Sequence, residues 1–179
     1  DRRKNGEVYP KWLIISAIKG NDGAISHYLG THFDITERKI AEQKIQTLAF
    51  FDQLTGLPNR TLLMDRLKQA MTVSARNGTY CALLFIDLDN FKTLNDTLGH
   101  DRGDLLLQQV AERLKSCVRA DDSVARLGGD EFVVMLTGLS SIASDASLQT
   151  EVIGGKILAE LNHLYKLKDT VYHSTPSIG

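Results

Sequence analysis

Residues 79–91, "TYCALLFIDLDNF", constrain the fold of this chain more than any other stretch. The run is apolar almost without interruption and then stops at two acids, Asp87 and Asp89. A strand with one wet face alternates apolar and polar side chains, so this one is expected at the centre of a sheet, buried on both faces. Asn59 stands where it can cap a helix whose apolar face is Leu62, Leu63, Leu67, Ala70 and Met71 and which ends at Asn77-Gly78. "DRGDLLLQQVAERLKSCV" repeats the helical period through Leu106, Val110, Leu114 and Cys117. "SVARL" and "FVVML" read as the two strands of a hairpin. After the polar stretch "LSSIASDASLQ", a helix is expected around residues 151–164 and a strand around residues 171–177. Helices alternating with strands predict an α/β or α+β sheet domain.

The N-terminal part has a different character. "EVYPKWLIISAI" and "AISHYLGTHFDI" are rich in β-branched and aromatic residues and are joined by "KGNDG", a hairpin signal, with Asn5-Gly6 marking an earlier turn. Two or three strands do not make a stable domain, so residues 1–36 are expected to be the closing strands of a domain that begins outside this chain. "TERKIAEQKIQTLAFF" then opens with Thr36 as a candidate cap and continues with good helix formers. Its apolar positions Ile40, Ile45 and Leu48 do not form a clean heptad, so residues 37–50 are expected to be a connecting helix leading into a domain over residues 51–179. The chain starts mid-pattern and stops at "STPSIG", inside an apparent strand, and so reads as a fragment.

Composition excludes several functions. Of the 179 residues 42% are hydrophobic, enough for an ordinary globular core, and 21 Lys plus Arg balance 22 Asp plus Glu. No strong net field draws the segment to nucleic acid or to a membrane surface. Cys81 and Cys117 lie inside apolar segments rather than at metal-ligand spacing, as reduced buried thiols do. No apolar run approaches the roughly 20 residues that span a bilayer, and "DRRKNGEVYP" has no signal-peptide core, so the segment reads as cytoplasmic, with any membrane anchor lying elsewhere in a longer protein.

The chemistry lies in the carboxylates. If the strand through "FIDLD" continues past Leu88, Asp87 and Asp89 point the same way; if it bends there, only one faces a site. An acidic strand end suits a hard cation such as Mg²⁺, which takes one or two carboxylates and leaves positions for phosphate. In "RLGGDEFVVML", Gly128 and Gly129 supply a tight turn and let a ligand approach the backbone. If that hairpin lies beside "FIDLD", Asp87, Asp130 and Glu131 converge, and clustered carboxylates call for a cation. Between these motifs, Asn95 and Asp104 offer the amide and the acceptor that a guanine edge requires, and Gly99 and Gly103 are expected to break the helix and admit a ligand.

In this order and at this spacing, "FDQLTGLPNR", "FIDLDNFKTLNDTLGHDRGD" and "RLGGDEFVVML" resemble the GGDEF domain of diguanylate cyclases, from about Phe51 to the end of the chain. The resemblance implies a palm-like fold similar to that of polymerases and nucleotidyl cyclases, and an enzyme that joins two GTP into cyclic di-GMP and pyrophosphate as a homodimer. It implies that Asp87 and the carbonyl of Leu88 bind Mg²⁺ or Mn²⁺, with Asp130 as a further ligand and base toward the 3′-hydroxyl and Glu131 supporting the metal. Asn95 and Asp104 would hold guanine, and His100 would lie near the nucleotide. Phe91 and Lys92 would hold the triphosphate through backbone N–H groups, and Gly128 and Gly129 would admit it. "RADD" resembles the family's inhibitory site, with Arg119 and Asp122 binding the product. The family's domain continues beyond "SIG" with a Lys and an Arg that contact phosphate, so this C-terminally truncated chain is expected to bind GTP weakly by itself.

Residues 1–36, ending in "DITER", resemble the closing strands of a PAS sensor domain, for which no haem or flavin is assignable. "KDTVYHSTPSIG" looks like the versions of the domain that precede EAL phosphodiesterase domains. Two alternatives to turnover are therefore a catalytically silent GTP-binding module that controls an attached phosphodiesterase, and a dimerisation scaffold.

Overall fold

A computed structural model describes all residues, Asp1–Gly179, which form two compact units, Asp1–Thr47 and Leu48–Gly179. In the first, β1 (Lys11–Lys19) and β2 (Ile25–Asp34) make one antiparallel ribbon, in register from Lys11 opposite Asp34 to Ile18 opposite His27, with a bulge at Lys19. Trp12 lies opposite Phe33 on one face and Ala17 opposite Tyr28 on the other. Both faces are apolar and both strands are exposed along their whole length. Helix α1 (Thr36–Phe50) follows with no buried residue. Thr36 is not its cap: Asp34 Oδ1 accepts from the Thr36 backbone N–H at 2.9 Å and from its hydroxyl at 2.6 Å. The charged side chain two residues upstream outcompetes the hydroxyl for that role.

The second unit runs α2 (Arg60–Asn77), β3 (Tyr80–Leu88), α3 (Phe91–Leu98), α4 (His100–Cys117), β4 (Ser123–Gly128), β5 (Glu131–Leu139), α5 (Ala143–Leu161), β6 (Tyr165–Leu167), β7 (Thr170–Tyr172) and β8 (Pro176–Ile178). Its main sheet has the order β4-β5-β3-β8, antiparallel throughout, with β3 in the interior. Side chains alternate along β5: Phe132, Val134 and Leu136 join Leu106, Val110, Leu114, Ile157 and Leu161 in the larger core. Val133 and Met135 pack the other way, with Ala125 and with Leu63 of α2. Both faces of β5 are thus covered, but β3, although interior, buries only one face: Leu84, Ile86 and Leu88 are buried while Phe85 is 53% exposed, so the two-sided burial expected of that strand is not found. Asn59 caps α2 by accepting from the Leu62 N–H, and Gly78 closes it in a left-handed conformation at φ 65°. The family of α+β folds expected from the alternation of elements is the one observed.

Three expectations need correction. Helix α5 begins at Ala143, not near residue 151. Ala146, Ile157 and Leu161 sit on one buried stripe, and Ser144, Asp145 and Ser147 are only its wet side. The strand expected over residues 171–177 is two elements, β7 and β8, preceded by the unanticipated β6–β7 hairpin, whose turn holds Lys168 at φ 60°. Gly103 does not break a helix; the break is at Gly99, and Gly103 is buried within α4.

Candidate functional site

Register brings the acids together. Asp87, next to last in β3, lies directly opposite Glu131, the first residue of β5. Side chains at directly opposed positions share a face with Cβ atoms about 4.5–5.5 Å apart. Gly128 and Gly129 take φ values of 147° and 53°, the second left-handed, and carry the chain through the turn before Asp130. Burial, followed by the charges of Asp130, Glu131 and Asp89, pushes the Asp87 carboxyl above its ordinary range. Burial is the larger cause and the neighbouring carboxylates the smaller, and an opposite charge placed here would favour the ionised form. No three His, Cys, Asp or Glu side chains form a ready-made metal cage. Mg²⁺ does not require one, because it binds through one or two carboxylates and completes its shell with water and substrate phosphate. Backbone ladders add a fourth donor. Phe85 exchanges both bonds with Gly179, and the Asp89 N–H donates to Thr175, so odd positions of β3 address β8. The carbonyl of Leu88 therefore faces the opposite edge, the side of the β4–β5 turn. A pocket of about 540 Å³ opens here, lined by Asp87, Glu131, Ser177 and Arg60 among others.

The question left open at Leu88 is answered by Asp89, which does not join this cluster. Its carboxylate accepts from the Thr175 hydroxyl at 2.6 Å and from the Ser177 hydroxyl at 2.8 Å. These two bonds, in that order, outweigh desolvation and hold its pKa below the ordinary value.

Two further residues act on the turn. Arg126 donates through Nε and Nη2 to the Gly129 carbonyl at 3.0 and 2.7 Å, and through Nη1 to both oxygens of Asp52 at 3.0 and 3.1 Å. Asp52 also accepts from the N–H and hydroxyl of Thr55. Burial opposes its ionisation, but the Thr55 bonds and Arg126 prevail, and the carboxyl is lowered from its ordinary value of 3.8. "FDQLTGLPNR" and "RLGGDEF" are therefore one structure, a clamp on the glycine turn. Sequence reasoning assigned no role to Asp52 or Arg126. The signal was an Arg and an Asp inside two of the quoted motifs, but the pair is 74 residues apart and no spacing rule joins them.

From β3 the chain enters α3 through Asn90, at φ 60° and ψ 20°, whose side chain caps nothing. The first intrahelical bond is Leu94 N–H to the Asn90 carbonyl, which leaves the leading amide groups, Phe91 and Lys92 among them, for an outside acceptor. One turn on, Asn95 Oδ1 is buried with no hydrogen-bond partner. A buried polar atom without a partner costs about 1–3 kcal/mol, so a donor that reached this oxygen would be bound favourably. Asn95 lies against Gly103, where a Cβ would stand 2.0 Å from Asn95 Oδ1 and 3.3 Å from the Phe91 ring. Asp104 and His100, both exposed on the first turns of α4, complete the neighbourhood.

Arg119 and Asp122 occupy the loop between α4 and β4. Asp122 Oδ2 accepts from the Arg119 N–H at 3.0 Å and Oδ1 from the Thr137 N–H at 3.1 Å, so this carboxylate also shapes the loop. The Arg119 side chain is exposed and makes no ion pair, at the rim of an apolar pocket of about 270 Å³ that includes Leu136, Leu148 and Val152. No helix of the chain is long and apolar enough to cross a membrane.

Comparison with known proteins agrees with the geometry. The family model described as "Diguanylate cyclase, GGDEF domain" matches residues 49–179. The bifunctional diguanylate cyclase/cyclic di-GMP phosphodiesterase MucR of Pseudomonas aeruginosa is 40% identical over 167 residues, 93% of this chain but 23% of MucR, so the chain spans about a quarter of that relative's length. The crystallised GGDEF domain of TpbB (YfiN) from Pseudomonas aeruginosa is 38% identical, with a TM-score of 0.67 over 72% of this chain and 73% of that one. The coiled coil and GGDEF domain of DgcB from Caulobacter crescentus, solved in complex with c-di-GMP, is 27% identical, with a TM-score of 0.69 over 81% of this chain and 75% of that one. With its three motifs joined by the Asp52–Arg126 clamp and the Asp87–Glu131 register, the chain belongs to the family of GGDEF-domain diguanylate cyclases.

Proposed function

We propose that this chain condenses two GTP into cyclic di-GMP and pyrophosphate, each domain supplying one nucleotide in a homodimer. The observation that carries the reading is the register of Asp87 opposite Glu131, with Asp130 on the adjoining glycine turn. Asp87, Asp130, Glu131 and the Leu88 carbonyl fit Mg²⁺ or Mn²⁺, because they are the all-oxygen donor set such an ion takes, and an ion there would favour the ionised Asp87 that burial and then the neighbouring acids disfavour. When bound, the ion neutralises phosphate charge and draws off the charge of the leaving group.

This chain's own residues do the rest. The free amide groups of Phe91 and Lys92 take the triphosphate, Asn95 and Asp104 take the guanine edge, His100 flanks the nucleotide, and Gly128 and Gly129 let it approach the backbone. Asp130 accepts the proton of one nucleotide's 3′-hydroxyl. The new bond joins that oxygen to the partner's α-phosphorus, the α–β phosphate bond breaks, and pyrophosphate leaves; the same step in reverse orientation closes the ring. Positioning supplies most of the catalysis in such a transfer. Arg119 and Asp122 are the product site for feedback inhibition; Arg119 brings the free guanidinium that suits a guanine edge or phosphate.

Residues 1–36 serve as the closing strands of a PAS-like sensor and residues 37–50 as the helix that relays its state to the domain over residues 51–179. The reading assigns this segment to the cytoplasm, with GTP. A second reading is a silent GTP-binding module controlling an EAL phosphodiesterase, which the name of a similar Escherichia coli protein, the cyclic di-GMP phosphodiesterase PdeR, favours. Conversion of GTP with Mg²⁺ by the full-length protein, beside Asp130→Ala and Glu131→Ala variants, separates them. Turnover in wild type that falls at least about a hundredfold in both variants supports the cyclase. Tight GTP binding by a dimer that makes no cyclic di-GMP leaves the regulatory reading standing.

A further inference from the structure

Asp89 is the acid that the catalytic reading does not use. Both of its carboxylate oxygens are already engaged, Oδ2 by the Thr175 hydroxyl at 2.6 Å and Oδ1 by the Ser177 hydroxyl at 2.8 Å. Its own N–H donates to the Thr175 carbonyl at 2.9 Å. Ser177 in turn lies directly opposite Asp87. Asp89 is thus fastened at three points to the strand that flanks the candidate metal site. The next residue, Asn90, takes a left-handed φ of 60°, which Asn tolerates better than most non-glycine residues, and provides no side-chain cap. Two residues after the fastening point, α3 begins; Leu94, Phe91 and Leu98 pack the helix on the core, and Asp89 fixes the strand end from which its first-turn amide groups start.

We propose that Asp89 is a positioning residue that, by gripping the hydroxyls of Thr175 and Ser177 on β8 and the residue leading into it, aims the first-turn amides of Phe91 and Lys92 at the β- and γ-phosphates of the nucleotide. This rests on the reading of the α3 N terminus as the triphosphate site. It gives β8 a part in catalysis that a three-residue edge strand would not otherwise have, since these two hydroxyls, rather than its core contacts, transmit its position to the phosphates. It also gives the two acids of "FIDLD" different roles, with Asp87 serving the cation and Asp89 the backbone.

Two probes with Mg²⁺ present provide the test: 3′-deoxy-GTP, which keeps the triphosphate but lacks the reacting 3′-hydroxyl, and GMP, which has the guanine and one phosphate. Asp89→Ala and the double variant Thr175→Val with Ser177→Ala are each expected to lose at least about tenfold in affinity for 3′-deoxy-GTP, the equivalent of a well-placed charge-assisted hydrogen bond. Affinity for GMP is expected to stay within about twofold, and Thr175→Ser, which keeps the hydroxyl, is expected to behave as wild type. Thermal unfolding of each variant is measured alongside. An equal loss for both nucleotides, or a lowered melting temperature with unchanged 3′-deoxy-GTP affinity, overturns the proposal. Should Asp89→Ala not fold, the hydroxyl variants carry the test with Asp89 in place. A wild-type protein that binds 3′-deoxy-GTP no better than GMP overturns the triphosphate site itself, a failure distinct from that of Asp89.

Discussion

At the scale of single residues, the site depends on what is kept out as much as on what is present. Gly103 has no side chain because Asn95 occupies the space: a methyl there would stand 2.0 Å from Asn95 Oδ1. Alanine is otherwise the better helix residue by about 1 kcal/mol, so Gly103→Ala is expected to keep its fold while displacing Asn95 from its proposed place on the guanine edge. The expected outcome is about a tenfold loss of GTP affinity with a narrowed preference for GTP over ATP, read by titration; retained discrimination would show that Asn95 finds its place without the glycine. Asp52 makes a second residue-level case, with the side chains of Arg126 and Asp52 only 10% and 22% exposed. Because its folded pKa lies below the ordinary 3.8, its ionised form stabilises the fold above that value, and the contribution is lost as pH falls through the depressed folded pKa. Asp52→Asn is therefore expected to melt earlier than wild type at pH 7, by the equivalent of about 1–3 kcal/mol, with the gap closing below about pH 4. A gap independent of pH would assign the loss to packing. The candidate ligands Asp87, Asp130 and Glu131 were legible in the sequence because their chemistry is local and their motifs are long. Asp52, Arg126 and the divergence of Asp89 from Asp87 were not, because each depends on a partner brought near only by folding.

At the scale of elements, apolar patterning located α2, β3, α4 and the β4–β5 hairpin because each carries a buried face whose period matches its geometry. It failed at the start of α5 and at β6–β7, where three-residue strands are too short to show a period. Side chains of α4 fasten the C-terminal end of α5 and the β6–β7 hairpin: Gln109 donates to the Lys166 carbonyl and Arg102 to the Asp169 carboxylate, both at 2.9 Å. Arg113 of α4 donates to the carbonyls of Glu160, His163 and Leu164 at 3.1, 2.7 and 2.6 Å, and its guanidinium lies 3.8 Å from the centre of the Tyr165 ring. It thereby satisfies carbonyls at and beyond the C terminus of α5 and seats the first residue of β6. Arg113→Ala is expected to destabilise the domain by about 2–4 kcal/mol in denaturant unfolding, with Arg113→Lys recovering only part because an ammonium cannot fork across three carbonyls or stack on the ring. Guanine preference in the folded variant is expected to be unchanged, since Arg113 touches none of Asn95, Asp104 or Asp87. A variant with full stability would mean that the carbonyls are satisfied by water at no cost.

At the scale of the whole molecule, the chemistry of the proposed product sets a requirement that one domain cannot meet. Cyclic di-GMP has two identical halves, each formed by attack of one nucleotide's 3′-oxygen on the other's α-phosphorus. One domain offers one Asp87–Glu131 pair, one Asn95 and one free α3 N terminus. Two nucleotides held head to tail by identical sites are related by a twofold axis, so the proposed reaction calls for a closed pair of equal subunits. While the protein is mostly monomeric, the fraction in pairs rises in proportion to total concentration. Specific activity, the rate per domain, is then expected to rise linearly with protein concentration and to level off where sedimentation shows the dimer to dominate. Arg119→Ala is expected to leave that initial slope intact and to sustain the rate as product accumulates, because Arg119 lies in the α4–β4 loop, away from β3 and the turn that carry the acids. Constant specific activity across a range in which the protein is monomeric would rule out attack between two domains, whatever the individual site residues do.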